Sequence, residues 1–216
     1  MKGAQSGPLS DRACFAGLSE MHGGGSRDSR GGDEPVWAHE THCRVLSQEG
    51  SGAGGGIIHC ITEQHLHLIK VRANPGCGIL APGQKLELPT EVESGKIALV
   101  LGKGRYRELP NQAQAAINDV MKEILSENPK SCMEFYNRAG PVSLKFHAFQ
   151  LLPGIGQKKA TQMMKSRVSA GWMTFEEVDE ACTIDSLQLI VERLVEELQD
   201  PKVVPSLLQN VVRVAE

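Results

Sequence analysis

Between residues 36 and 101 the apolar positions come in short runs broken by turn residues, at 36–46, 57–62, 66–71, 85–88 and 96–101. Leu66 and Leu68 alternate with His65 and His67, Leu86 and Leu88 with Lys85 and Glu87, and Ile97, Leu99 and Leu101 recur at every second residue. A period of two sends one set of side chains to a buried face and the other to water, so these runs predict five strands. Asn74-Pro75-Gly76 and Ala81-Pro82-Gly83 supply turn chemistry between them. Five short strands in so short a stretch suit a small barrel, with the oligonucleotide/oligosaccharide-binding (OB) type the leading candidate.

Past Pro110 the period lengthens. Ala113, Ile117, Val120, Met121, Ile124 and Leu125 repeat at helical spacing until Asn128-Pro129 stops them. Further helices are predicted at 133–136, 142–151 and 157–168. The last strong one carries Leu187, Ile190, Val191, Leu194, Val195 and Leu198 on one stripe, with Glu192, Arg193, Glu196 and Glu197 opposite. The expected fold class is α+β: an OB-like five-stranded barrel at 36–109, then a helical domain at 110–216. Thirteen of the 23 glycines fall in the first 56 residues, where apolar residues are sparse. Such a stretch cannot bury enough surface to offset its ordering entropy, so residues 1–35 are expected to form a disordered tail and 50–56 a flexible loop.

One connection in the helical half carries chemistry. Leu151-Leu152 lead into Pro153-Gly154-Ile155-Gly156, which opens a helix at Gln157-Lys158-Lys159-Ala160. Glycine permits positive backbone torsions and has no Cβ to hold a ligand away, so the Gly154 and Gly156 amides can face outward. They stand at a helix N-terminus, where unsatisfied N–H groups and the positive end of the dipole favour a phosphate oxygen. Lysines in that first turn oppose the dipole, which argues for an anion outside the helix. Ile155 is expected to plug the hairpin into the core, and Ala160 to be a packing position. The pattern matches the helix-hairpin-helix signature of DNA-repair, replication and RNA-associated proteins. Residues 175–198 stand where a second copy would lie, but Cys182-Thr183-Ile184-Asp185 lacks its glycines and reads as a packing partner. The predicted nucleic-acid contacts are Pro153, Gly154, Ile155, Gly156, Gln157, Lys158 and Lys159, with Lys145, Lys165 and Arg167 nearby.

Charge sharpens this picture. The 216-residue chain has a net charge of -3, so any grip on nucleic acid must come from a local patch. From Pro141 to Phe175 there are five basic residues and no acid, whereas from Glu176 to Asp200 there are nine acids and one arginine. Backbone contacts of this kind give affinity with little sequence readout, and binding that weakens with salt.

Six scattered cysteines without a Cys-x-x-Cys pair point to a reducing compartment. No apolar run is long enough to cross a bilayer, so no membrane association is expected. Asp11, Glu20, Asp28, Asp33 and Glu34 interrupt the arginines and serines of the leader, against the composition of a transit peptide. A cytoplasmic location is expected, with nucleus and organelles left open. His39, His42, Cys43, His59, Cys60, His65 and His67 invite a zinc site, but the paired short spacings of structural zinc are missing, and no metal or other cofactor is predicted. Gly102-Lys103-Gly104 lacks the rest of a nucleotide loop and reads as a strand exit beside phosphate. Glu176, Glu177, Asp179 and Glu180 are clustered, yet a solvated helix face explains them, and no nucleophile with a base stands out; the protein is not expected to be an enzyme.

Residues 57–208 resemble the domain of unknown function 655 family, known mostly from archaea. The resemblance is carried by Phe135-Tyr136-Asn137-Arg138-Ala139-Gly140-Pro141-Val142, by Leu144-Lys145-Phe146-His147-Ala148-Phe149-Gln150 running into the hairpin, by Thr174-Phe175-Glu176-Glu177-Val178, and by Ile190-Val191-Glu192-Arg193-Leu194-Val195-Glu196-Glu197-Leu198. It implies an OB-like barrel followed by a helix-hairpin-helix domain, with RNA binding favoured over DNA, ribosomal proteins as partners, and no established catalytic activity. A DNA-binding accessory role in repair or recombination is the competing expectation. The chain departs from the family in its Gly-rich leader and in placing His65 and His67 where an aromatic residue is expected. OB barrels hold single strands by base stacking, and no Phe, Tyr or Trp lies between Ile57 and Arg105. Lys70, Arg72, Lys85, Lys103 and Arg105 remain as residues that could track a backbone.

Overall fold

The computed structural model describes residues 35–50, 55–88, 95–167 and 170–213. The predicted Gly-rich tail, all but its last residue, lies outside them. Five antiparallel strands, β1 (His42–Glu49), β2 (Ile57–Thr62), β3 (Leu68–Ala73), β4 (Lys85–Glu87) and β5 (Ile97–Lys103), form one curled sheet in the order β4-β1-β2-β3-β5. Pairing β5 with β4 would close a barrel; among the described residues that pair is not made, and the sheet is a half-barrel. The first strand starts later than predicted, because residues 36–40 turn instead: Ala38 N–H donates to Pro35 O at 2.8 Å and Glu40 N–H to Trp37 O at 3.1 Å.

Cys43, Val45, Ile58, Cys60, Ile69, Val71 and Leu86 fill the concave side. Leu46 faces the other way by strand alternation, on the side of Arg44, and joins Ile61, Leu66 and Leu68 under the helices. A register shift follows it, between Val45 and Ser47. Inserted residues redirect side chains in β5 as well. Ile97 is buried, but Leu99 and Leu101 are 55% and 42% exposed. Ala73 pairs with Ile97 and Arg72 with Leu99, so Ala98 is an extra residue that leaves Leu99 facing out and Val100 against the core; Val71 pairs with Val100 and Lys70 with Gly102, so Leu101 is a second one.

The helices are α1 (Asn111–Glu127), α2 (Lys130–Arg138), α3 (Gln157–Ser166), α4 (Phe175–Cys182) and α5 (Ser186–Gln199), followed by a π-helical turn at Leu208–Val212. The apolar stripe of α1 packs on β1 and α5, so one core runs from the sheet into the helices. Arg44 on β1 binds Glu127 of α1 and, at 2.5 Å, Glu63, which Lys85 of β4 also reaches at 2.6 Å.

The helix predicted at 142–151 does not form. A two-stranded hairpin, β6 (Pro141–Ser143) and β7 (Phe146–His147), leads into a 3-10 turn at Ala148–Leu151. His147 closes the turn. Its Nδ1 accepts from Phe149 N–H at 3.1 Å, while its own N–H donates to Gln150 Oε1 at 2.9 Å.

Candidate nucleic-acid interface

The Pro153-Gly154-Ile155-Gly156 connection sits between that 3-10 turn and α3. Ile155 is buried in the helical core, with its N–H donating to Leu152 O at 3.2 Å. Its side chain anchors the hairpin and its N–H is already bonded, so Ile155 shapes the turn and offers a phosphate no donor. Gly154 has φ +72, a conformation that favours glycine. Gly156 is the N-cap of α3 with φ -84 and ψ 174, which any residue adopts. A Cβ built on either glycine meets nothing within 4 Å. Gly55 and Gly56 are a contrast: a Cβ there would stand 2.0 Å from Ala73 O and 1.9 Å from Gly50 O, so those two glycines serve tight packing, while residues 51–54 of the loop expected at 50–56 lie outside the described residues.

No side chain caps α3. Among the described residues no acceptor meets the amides of Gly154, Gly156, Gln157 or Lys158. Free donors, a helix dipole and open space over two glycines coincide at one surface point.

The basic residues divide. Lys158, Lys145 and Lys165 are exposed and make no ion pair among the described residues. Lys159 turns inward: Nζ donates to Cys182 O and, at 3.3 Å, to Thr183 O, capping the C-terminus of α4. Thr183 stands there with φ 53, the left-handed position that glycine fills in the first hairpin. Arg167 is also internal. It donates to Tyr136 O at 2.9 Å and Ala139 O at 2.6 Å, and lies 4.7 Å over the Phe149 ring. Lys159 and Arg167 therefore have structural partners, whereas Lys145, Lys158 and Lys165 are open to solvent.

A groove of about 540 Å³ runs along the hairpin, and α5 forms its far wall with Glu192, Arg193 and Glu196. Arg193 is spent on Glu196 at 3.0 Å, Glu197 at 2.9 Å and Pro205 O at 2.8 Å. That wall carries the wrong charge for phosphate. The anion-favouring side is the α3 side, over Gly154, Gly156 and Lys158.

Of the basic residues on the sheet, Lys70 binds Glu108 at 3.0 Å and Lys85 binds Glu63, leaving Arg72, Lys103 and Arg105 without ion pairs among the described residues. Cys43 and Cys60 are fully buried, and among the described residues no three His, Cys, Asp or Glu side chains are grouped to hold a metal. Of the clustered acids, Glu177 accepts from Met173 N–H at 2.7 Å and Asp179 from Ser186 N–H at 2.7 Å, which gives both a capping role. No helix among the described residues is long and apolar enough to cross a membrane. Sequence reasoning missed Glu40 and Arg213, which the fold brings to the β2–β3 turn from both ends of the chain.

The family model described as "Protein of unknown function (DUF655)" matches residues 47–206. The uncharacterized protein MJ0038 of Methanocaldococcus jannaschii is 25% identical over 126 residues, 56% of this chain and 58% of that protein. The chain thus matches less than two thirds of that relative's length. The crystal structure of Af1531 from Archaeoglobus fulgidus, a DUF655 protein, matches with a TM-score of 0.70 at 19% identity, over 78% of this chain and 99% of that one. That likeness shows a shared fold. Since the match runs through both the sheet and the helices, the chain belongs to DUF655, a family of proteins of unknown function.

Proposed function

We propose that the protein binds nucleic acid, RNA in preference to DNA, by gripping backbone phosphate at the hairpin before α3 without reading sequence, and that it acts as a binder and not as an enzyme. The observation that carries this reading is Gly156. Its backbone angles need no glycine and its Cβ position is empty, so nothing inside the molecule accounts for the missing side chain. Close approach of a ligand to the amides does account for it. The exposed Lys158 adds charge at the same point, and Lys145 and Lys165 extend the basic side.

One grip gives weak binding, which fits a component of a ribonucleoprotein, ribosomal or other, better than a free-standing factor. The preference for RNA rests on the family resemblance, because one phosphate grip serves either backbone. Anisotropy with labelled RNA, competed by duplex DNA of equal length, ranks the two; preference for DNA would support an accessory factor of repair or recombination instead. Lys158→Glu is the test of the site, since the neighbouring Lys159 caps α4 and its reversal would also disturb the fold. Lys158→Glu is expected to weaken binding and lower the salt slope by about one. Gly156→Ala is expected to weaken binding while leaving stability nearly unchanged. Unaltered affinity in both variants would sink the proposal.

A further inference from the structure

A second cationic cluster lies at the β2–β3 turn. Glu40, buried, accepts from Thr62 Oγ1 at 2.7 Å, from His65 N–H at 3.0 Å and from His65 Nδ1 at 2.9 Å. A carboxylate only accepts, so the His65 proton is held on Nδ1, which fixes the ring against the turn. The His67 ring stands 5.9 Å from that of His65. Leu66 between them takes φ 52, a costly conformation for a leucine. Arg213 clamps this turn from the far end of the chain, donating to His65 O at 2.8 Å and Leu66 O at 3.0 Å. Two of its five N–H donors are used there.

Lys103 reaches the same place from β5. It pairs with Ile69, and His67 lies two residues before Ile69 on the same side of the chain. Gly104 N–H donates to Leu68 O at 2.7 Å, which fixes the end of β5 here. Among the described residues Lys103 makes no hydrogen bond or ion pair. Burial and the nearby Arg213 push its pKa down. Burial, Arg213, Lys103 and His65 together push His67 down to about 3. Lys103, exposed at the end of β5, and Arg213, on which Glu40 and Glu197 also act, thus stand near two imidazoles, and the Glu40 oxygens are already bonded to the turn. Lys103 is unpaired among the described residues and Arg213 keeps N–H donors beyond the two bonded to the turn, so the cluster has donors to offer an anion.

We propose that His65, His67, Lys103 and Arg213 form a phosphate-binding site, separate from the α3 hairpin. Arg213 and Glu40 position the turn, while Lys103 and the remaining Arg213 donors meet the anion beside the two imidazole rings. The phosphate comes either from a free ligand or from a nucleic-acid backbone that reaches the sheet.

Two-dimensional NMR of the histidine Cε1–H groups in the full chain, at fixed pH and ionic strength, tests this. Inorganic phosphate and a short RNA oligomer are titrated separately, with chloride as the control. Saturable shifts of His65 and His67 with phosphate mark a free-anion site; shifts with RNA alone mark a backbone contact. Lys103→Met, checked for an unaltered amide spectrum, is expected to weaken either response about tenfold, and Lys103→Arg to restore most of it. Lys158→Glu is expected to leave these shifts in place, which separates this site from the hairpin. No shift with either ligand, the same shift with chloride, or an undiminished response in Lys103→Met overturns the proposal.

Discussion

Lys158 and Lys159 are adjacent in sequence, yet one faces water and the other caps a helix. Successive helical residues lie about 100° apart, and Lys159 shares its face with buried Met163 four residues on, whereas Lys158 shares its face with exposed Gln162 and Lys165. That signal is in the sequence, but it shows only which lysine lies nearer the core. That its ammonium would find the carbonyls of Cys182 and Thr183 depends on where α4 ends, which no local pattern gives. Lys159→Met keeps most of the apolar stem and removes the cap, so it is expected to cost about 1 kcal/mol in urea unfolding. Lys158→Met is expected to cost nothing measurable in the same experiment. The glycines were legible as a tight turn. The emptiness over Gly156, which separates a ligand-facing glycine from a packing one such as Gly55, required coordinates.

At the level of elements, periodicity succeeded where a segment is long and faces one partner. The stripes of α1 and α5 place both helices, and five strands form in the predicted order, although β1 begins only at His42 and extra residues in β5 leave Leu99 and Leu101 exposed. It failed at 142–151, where Val142, Phe146, Phe149 and Leu152 imitate helical spacing although the chain makes a hairpin and a 3-10 turn. The reason lies in tertiary contacts: Phe149 packs at 5.9 Å on the Phe135 ring and carries Arg167 over its face. So the resemblance to a helix-hairpin-helix holds for the turn and the second helix, while the first helix is replaced. Arg167 joins these pieces through Tyr136 O and Ala139 O. Lysine cannot reproduce that planar fork, so Arg167→Lys is expected to destabilise by about 1–3 kcal/mol. Urea denaturation measures it. An unchanged midpoint would mean that β7, the 3-10 turn and α2 hold together without the arginine.

For the molecule as a whole, buried histidines decide how stability responds to acid. Burial lowers the pKa of His67 to about 3, with Arg213, Lys103 and His65 adding to the effect. His59 and His147 are also lowered, chiefly by burial. A histidine of the unfolded chain takes up its proton near pH 6.5, whereas His67 takes it up only near 3 in the fold and His59 and His147 take it up below their ordinary value. Between those values the unfolded state binds more protons, so stability falls as pH falls. Glu63 acts lower down: burial raises its pKa, but Lys85 and Arg44 outweigh that and hold it below the usual 4.5. Its contribution, present above 4.5, is lost only as pH drops through the folded value. The window between pH 6.5 and 4.5 therefore isolates the histidines. In a buffer free of phosphate, the urea midpoint is expected to decline across that window, and His67→Gln to flatten the decline while Glu63→Gln leaves it in place. A His67→Gln profile parallel to that of the unaltered protein would show that His67 titrates alike in the folded and unfolded chains, contrary to its position between two cations and a second imidazole.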